Sequence, residues 1–139
     1  MQTPKIYVRE FMHPVRHIFH TDTSVEEVVK TLAKDKVVGG PVIDASKKLV
    51  GFITEQDCIK QMLNNTYYGD SHHVATDIMR SNPLSVSPDY DVLHLAEDML
   101  NKGPKIYPVV SDDKVVGMIT RADVLKALSL AKKDMGSVR

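Results

Sequence analysis

With a single cysteine, Cys58, the chain has no means of closing an intrachain disulfide, and a reducing compartment suits it best. It has no apolar run near the roughly 20 residues that a membrane-spanning helix requires. Its first twenty residues carry Lys5, Arg9 and Glu10 and lack the apolar centre of a signal peptide. A cytoplasmic protein without membrane contact is the expectation. Charge of one sign is also missing: 18 basic residues balance 18 acidic ones. That balance argues against a general electrostatic grip on nucleic acid, although a local basic pocket is compatible with it. The sequence has no G-x-S-x-G, no H-E-x-x-H and no P-loop, and Cys58 reads as a buried helix residue, so no enzymatic activity is expected. His13, His17 and His20 are separated by Pro14 and a strand candidate, and His72 and His73 are adjacent in a loop. Without a second cysteine to join them, no metal site is expected.

What is present is ordinary in bulk, 42% hydrophobic and 26% charged, but it is written twice. Residues 49–60, LVGFITEQDCIK, return at 115–126 as VVGMITRADVLK, a shift of 66 positions. Val50, Gly51, Ile53, Thr54, Asp57 and Lys60 meet Val116, Gly117, Ile119, Thr120, Asp123 and Lys126. Upstream, with a shift of 67, Met12, Val25, Pro41, Val42 and Lys47 match Met79, Val92, Pro108, Val109 and Lys114. The one-residue gap falls beside Lys48, where a turn absorbs it. Such a duplication places the working site between two copies that share a core.

Each copy reads as strand, helix, strand, strand, helix, an α/β arrangement. In the first, VREFM (8–12) makes a helical turn and HIFHT (17–21) a short strand. Val25, Val28, Val29, Leu32 and Ala33 then fall at helical spacing over 23–36, capped by Ser24 or Thr23. Gly39 and Gly40 stop that helix, 41–44 and 49–54 are strands, and a helix from Glu55 to about Asn64 buries Cys58, Ile59, Met62 and Leu63. The second copy repeats the order, with a strand at 84–86, a helix from Tyr90 to Lys102, strands at 106–110 and 115–120, and a helix over 121–132. Residues 1–64 form the first repeat with its lead-in, 65–74 an exposed polar linker, 75–132 the second repeat and 133–139 a frayed tail. A hairpin of this size does not bury its face alone, so the copies are expected to pack face to face about a pseudo-twofold axis.

In each copy a strand ends in Gly-x-x-Thr-x-x-Asp, at 51–57 and at 117–123. Thr54 and Thr120 sit at the hand-over from strand to helix, and Asp57 and Asp123 fall in the first helical turn. A hydroxyl, a carboxylate and free backbone N–H groups then face one way, which suits a ribose and a phosphate. The same residues also satisfy plain helix capping, with Thr at the N-cap and Asp three residues on.

The doubled pattern resembles the CBS domain, named for cystathionine β-synthase, in the tandem form called a Bateman module. The resemblance spans about residues 8–130 and is carried by DIM before the first strand, LSVSPD leading into a helix, IYPVV, GGPVID and the paired Thr–Asp segments. It implies a stand-alone regulatory module that binds an adenosine-containing ligand of the AMP, ADP or ATP class, needs no cofactor and does not catalyse. S-adenosylmethionine and NAD(H) are ligands of other members. It also implies two clefts between the copies. One would combine Thr54 and Asp57 with Leu84, Ser85, Lys105, Ile106 and Tyr107, and the other Thr120 and Asp123 with His17, Ile18, Val38 and Gly39. Lys105 and Arg121 would either reach phosphates or remain solvated surface charges, and Tyr107 would either stack on a base or fill core. Because His17, Ile18, Gly39 and Gly40 face Leu84, Ser85, Ile106 and Tyr107 in the alignment of the copies, the clefts should differ in affinity. Occupancy would be passed to a partner protein. The apolar faces of 55–64 and 121–132 would either pair in a homodimer or complete a monomer's core. The alternative to ligand sensing is a structural module that mediates dimerisation without a ligand.

Overall fold

The computed structural model describes residues 5–69 and 72–136, so Asp70 and Ser71 of the expected linker and 137–139 of the expected tail lie outside the described residues. The elements run in chain order: a 3-10 turn Val8–Glu10, β1 Phe19–His20, α1 Val25–Asp35, β2 Gly39–Ile43, β3 Leu49–Thr54, α2 Glu55–Tyr68, α3 Ala75–Ile78, β4 Arg80–Ser81, α4 Val92–Lys102, β5 Ile106–Ser111, β6 Lys114–Thr120 and α5 Arg121–Gly136. No helix among the described residues is long and apolar enough to cross a membrane.

Packing groups these elements into two compact units. One spans Val15–Pro83 with Asp113–Val115; the other gathers Met1–Pro14, Leu84–Asp112 and Val116–Arg139. We call them the Asp57 unit and the Asp123 unit. Each contains the lead-in that, in the sequence register, precedes the other copy: residues 75–83 group with Asp57, and residues up to Pro14 group with Asp123.

In the Asp57 unit the strand order is β1-β2-β3-β4. β1 runs parallel to β2, with Phe19 opposite Val42, and β2 pairs antiparallel with β3, with Gly39 opposite Thr54. β4 closes the far edge of β3, placing Arg80 opposite Phe52 and Ser81 opposite Gly51. Gly51 makes room there for the Met79 side chain: a Cβ would lie 2.3 Å from the Met79 sulfur and 3.0 Å from the Arg80 carbonyl oxygen. Phe19, Val28, Leu32, Val42, Ile53, Cys58 and Ala75 make the core. Ser24 caps α1 by accepting from the Glu27 N–H at 3.1 Å.

The Asp123 unit repeats the plan with less regular edges. β5 and β6 form a two-stranded sheet. Val86 makes a single parallel bridge to Val109, and His13 a single antiparallel bridge to Met118. Val8, Val86, Val92, Leu95, Met99, Tyr107, Val109, Ile119, Val124 and Ala127 make its core.

Several boundaries differ from the sequence reading. The strand expected at 84–86 is reduced to the bridge at Val86, because in the short Leu84–Ser85–Val86 segment only the last residue finds a ladder partner. α1 ends on Lys36 in the left-handed conformation, so Gly39 and Gly40 begin β2 and do not stop the helix. α2 continues past Asn64 to Tyr68 and is stopped by left-handed Gly69, which makes residues 65–68 of the expected linker helical. The helix expected from Tyr90 starts at Val92 with Asp91 as its cap, and α5 runs beyond 132 to Gly136. Of the four α2 residues expected to be buried only Cys58 is; Ile59, Met62 and Leu63 are 60%, 45% and 52% exposed.

Candidate functional site: two Thr–Asp turns

At the end of β3 the chain leaves the sheet and enters α2 with no intervening loop. The first N–H groups of α2 therefore need partners at once. Thr54 and Asp57 supply them reciprocally. The Thr54 hydroxyl accepts from the Asp57 N–H at 3.3 Å, and Asp57 Oδ2 accepts from the Thr54 N–H at 2.9 Å and from the Thr54 hydroxyl at 3.0 Å. At the end of β6 the same box recurs with Thr120 and Asp123, at 3.2, 2.8 and 2.9 Å. Both carboxylates are half-buried. Each box consumes Oδ2 and leaves Oδ1 to other partners.

Each carboxylate also meets a residue of a lead-in, at Oδ1 of Asp57 but at the capped Oδ2 of Asp123, and the sequence reading missed both. Arg80, next after Met79, brings its Nε to 3.4 Å from Asp57 Oδ1. His13, next after Met12, brings its Nε2 to 3.0 Å from Asp123 Oδ2. The 67-residue register that aligns the two methionines also aligns His13 with Arg80, so the signal was present but tied to no chemistry.

The remaining expected site residues divide by unit. In the Asp57 unit the Val38 carbonyl accepts from the Glu55 N–H at 2.8 Å, and Gly39 pairs with Thr54, so Val38 and Gly39 adjoin the Thr–Asp turn of their own unit. A Cβ at Gly39 would fall 2.5 Å from the Ile53 carbonyl oxygen. Ile18 and Val38 are apolar yet 40% and 55% exposed. His17 Nε2 lies 3.2 Å from Asp35 of α1. In the Asp123 unit the Lys105 carbonyl accepts from the Arg121 N–H at 3.0 Å, which places Lys105 and Ile106 beside Thr120. The Arg121 guanidinium donates to the Gly103 carbonyl at 3.4 Å. Leu84 is 46% exposed, Ser85 is exposed, and Tyr107 is core. Its hydroxyl is buried with no hydrogen bond among the described residues, and burial, with the Asp98 charge adding, pushes the phenol pKa up. Beside Asp57, burial also raises the Cys58 thiol pKa, helped by the charges of Asp57 and Glu55.

Comparison with known proteins supplies the family. The model described as the CBS domain matches residues 8–64 and again residues 74–130. Uncharacterized protein MJ1225 of Methanocaldococcus jannaschii is 28% identical over 121 residues, which is 87% of this chain and 42% of that protein. This chain therefore spans less than half the length of that relative. The crystal structure of CBSX2 of Arabidopsis thaliana in complex with AMP matches with a TM-score of 0.76 at 32% identity, covering 91% of this chain and 98% of that one. The CBS domain pair of protein MJ0100, in complex with 5′-methylthioadenosine and S-adenosyl-L-methionine, matches with a TM-score of 0.77 at 28% identity over 91% and 98% of the two chains.

Proposed function

The chain belongs to the CBS-domain family as a tandem pair, and we propose that it is a regulatory module whose Thr–Asp turns hold the ribose of an adenosine-containing ligand. One observation carries the reading. Both turns present an aspartate whose Oδ2 is locked by the helix cap and whose Oδ1 lies outside it, a rigid acceptor for a vicinal diol. Val38, exposed and apolar beside the Asp57 turn, and the exposed apolar residues Ile18 in the same unit and Leu84 in the other suit the faces of an adenine. That CBSX2 and the MJ0100 pair are bound to adenosine-containing ligands supports the same class here, with AMP, ADP or ATP as first candidates.

The output is a change in the population of module conformations that a partner protein reads. Ile59, Met62 and Leu63 on α2 and Leu125 and Leu130 on α5 are exposed apolar residues that a second copy would cover, which supports a homodimer. We assign no catalytic step. A second reading has its own support: the capping boxes account for every Thr54–Asp57 and Thr120–Asp123 hydrogen bond without a ligand, as expected of a purely structural dimerisation module.

Thermal-shift titration separates the two. A ligand at a hundred times its dissociation constant adds about 2.7 kcal/mol, a rise easily seen in a melt. We expect such a rise with at least one of AMP, ADP, ATP, S-adenosylmethionine or NADH, and its loss in Asp57→Asn or Asp123→Asn. No rise with any of them at millimolar concentration leaves the dimerisation module.

A further inference from the structure

The two turns match in every cap distance to within 0.1 Å, yet the residue laid over each carboxylate differs in kind. Register fixes where that residue sits. Arg80 stands opposite Phe52, two residues before Thr54, and His13 opposite Met118, two residues before Thr120. Met79 and Met12, each packed against the glycine of its turn, anchor the two lead-ins. Arg80 and His13 are therefore the same structural position carrying two chemistries.

Arg80 is a permanent cation with a planar fork of donors. Its Nε meets Asp57 Oδ1, the oxygen outside the cap, while its Nη groups have no hydrogen bond among the described residues, and the side chain is 60% exposed. A ribose hydroxyl taking Oδ1 of Asp57 must displace or share that guanidinium. If the ligand carries a phosphate, the guanidinium exchanges one anion for another and gains bidentate geometry. If the ligand is uncharged, the guanidinium loses its partner and receives nothing. His13 instead faces Asp123 Oδ2, the capped oxygen, and among the described residues Asp123 Oδ1 has no hydrogen bond. An imidazole carries charge only when protonated. A nucleoside can take Oδ1 of Asp123 without breaking an ion pair.

We propose that the residue after the lead-in methionine sorts ligands by charge: Arg80 makes the Asp57 turn selective for phosphorylated adenosines, whereas the Asp123 turn beside His13 binds phosphorylated and uncharged adenosines alike. This rests on the reading of the turns as adenosine sites.

The test is calorimetric titration of the intact chain with AMP and with adenosine at one fixed pH and ionic strength. Each turn is isolated by Asp123→Asn or Asp57→Asn, which alters the carboxylate while keeping an oxygen for the cap. In the Asp123→Asn background, Arg80→Gln should weaken AMP about tenfold and leave adenosine bound as tightly or more tightly, while Arg80→Lys should restore part of the AMP loss. In the Asp57→Asn background, His13→Arg should create an AMP preference of about tenfold where none existed. A bystander arginine would not move the ratio of the two affinities. A ratio unchanged by both Arg80→Gln and His13→Arg, in proteins that still bind AMP, overturns the sorting and leaves the adenosine reading intact. AMP binding that survives Asp57→Asn but not Asp123→Asn, with AMP still preferred over adenosine, also overturns it. If the unmutated chain binds neither AMP nor adenosine the sorting falls, and the adenosine reading falls with it when the other ligands of the thermal-shift series also fail to bind.

Discussion

The Asp57 unit and the Asp123 unit begin from matched sequence and reach unequal regularity. The first extends its hairpin on both sides with true strands, β1 beyond β2 and β4 beyond β3. The second has a single bridge at each equivalent place, Val86 to Val109 and His13 to Met118. What they share is the closing structure: a glycine in the last strand, a methionine packed on it and a Thr–Asp box at the helix start. The difference teaches which parts of the copy are constrained. Backbone satisfaction at a strand-to-helix junction admits few solutions, and both copies keep the same one. Strand edges and core-facing positions admit many, and there the copies diverge.

Gly39 and Ile106 make the sharpest contrast of this kind, since they occupy one position in the repeat register. Gly39 abuts β3 so closely that a Cβ would fall 2.5 Å from the Ile53 carbonyl oxygen and 2.9 Å from the Phe52 ring. Backbone cannot swing away as a side-chain tip can. Gly39→Ala should therefore cost about 2–3 kcal/mol, an overpacking penalty. Because Gly39 pairs with Thr54, it should also weaken ligand binding at the Asp57 turn. Ile106→Ala, on a half-buried side chain, should cost about 1–2 kcal/mol through lost burial. Urea unfolding of both variants checks the order. A Gly39→Ala protein within about 0.5 kcal/mol of the parent would show that the β2–β3 pair yields to a Cβ at this position without strain.

Much of this fold was legible in the sequence because its strongest signals are local. Ser24 before an apolar helical period, and Thr three residues ahead of Asp after a β-rich run, act within four residues of chain. The doubling then located the same signals a second time. Two things were not legible. The apolar spacing of Cys58, Ile59, Met62 and Leu63 reads as a buried face, but periodicity cannot say whether the chain itself covers that face, and only Cys58 is buried. Likewise Arg80 reaches Asp57 across 23 positions and His13 reaches Asp123 across 110. A pair brought together by strand register leaves no trace in a local pattern. The grouping of each lead-in with the other copy's turn is of that kind as well.

A second contrast lies at α1 and α4 and the turns that lead into them. Tyr90 donates to Asp98 Oδ2 at 2.6 Å, while the positions aligned with them are Thr23 and Thr31, whose hydroxyls serve nearby backbone groups. The hydrogen bond to Asp98, with burial and that carboxylate's charge adding, raises the Tyr90 phenol to about 12 from 10.0. A raised folded-state pKa means that the contribution is complete below pH 10.0 and disappears as pH rises through about 12. Tyr90→Phe should thus lower stability by about 1–2 kcal/mol at neutral pH. The gap between parent and variant should close across that alkaline window. A gap that stays constant through it would mean that the phenol's hydrogen bond contributes nothing and that the loss comes from packing.

The mildest contrast is Cys58 against Val124, equivalent positions in the first turns of α2 and α5. Both are core, at 5% and 4% exposure, and the repeat treats sulfur and a branched alkyl group as interchangeable there. Cys58→Val adds about one methyl group at a position the other repeat already fills with valine, and should accordingly change stability by less than about 1 kcal/mol. The thiol also reports on how tightly the Asp57 turn is closed. Burial foremost, then the charges of Asp57 and Glu55, raises its pKa above 9.0, so the reactive thiolate is scarce at neutral pH while the unit is folded. Labelling with a thiol reagent at pH 7.5 should therefore be slow in the folded protein and fast in urea. A ligand that closes on Asp57 should slow it further, by suppressing the local openings that expose the thiol. Folded-state labelling as fast as that in urea would show that the first turn of α2 opens readily, and a turn that open could not hold the Asp57 carboxylate in place for a ribose.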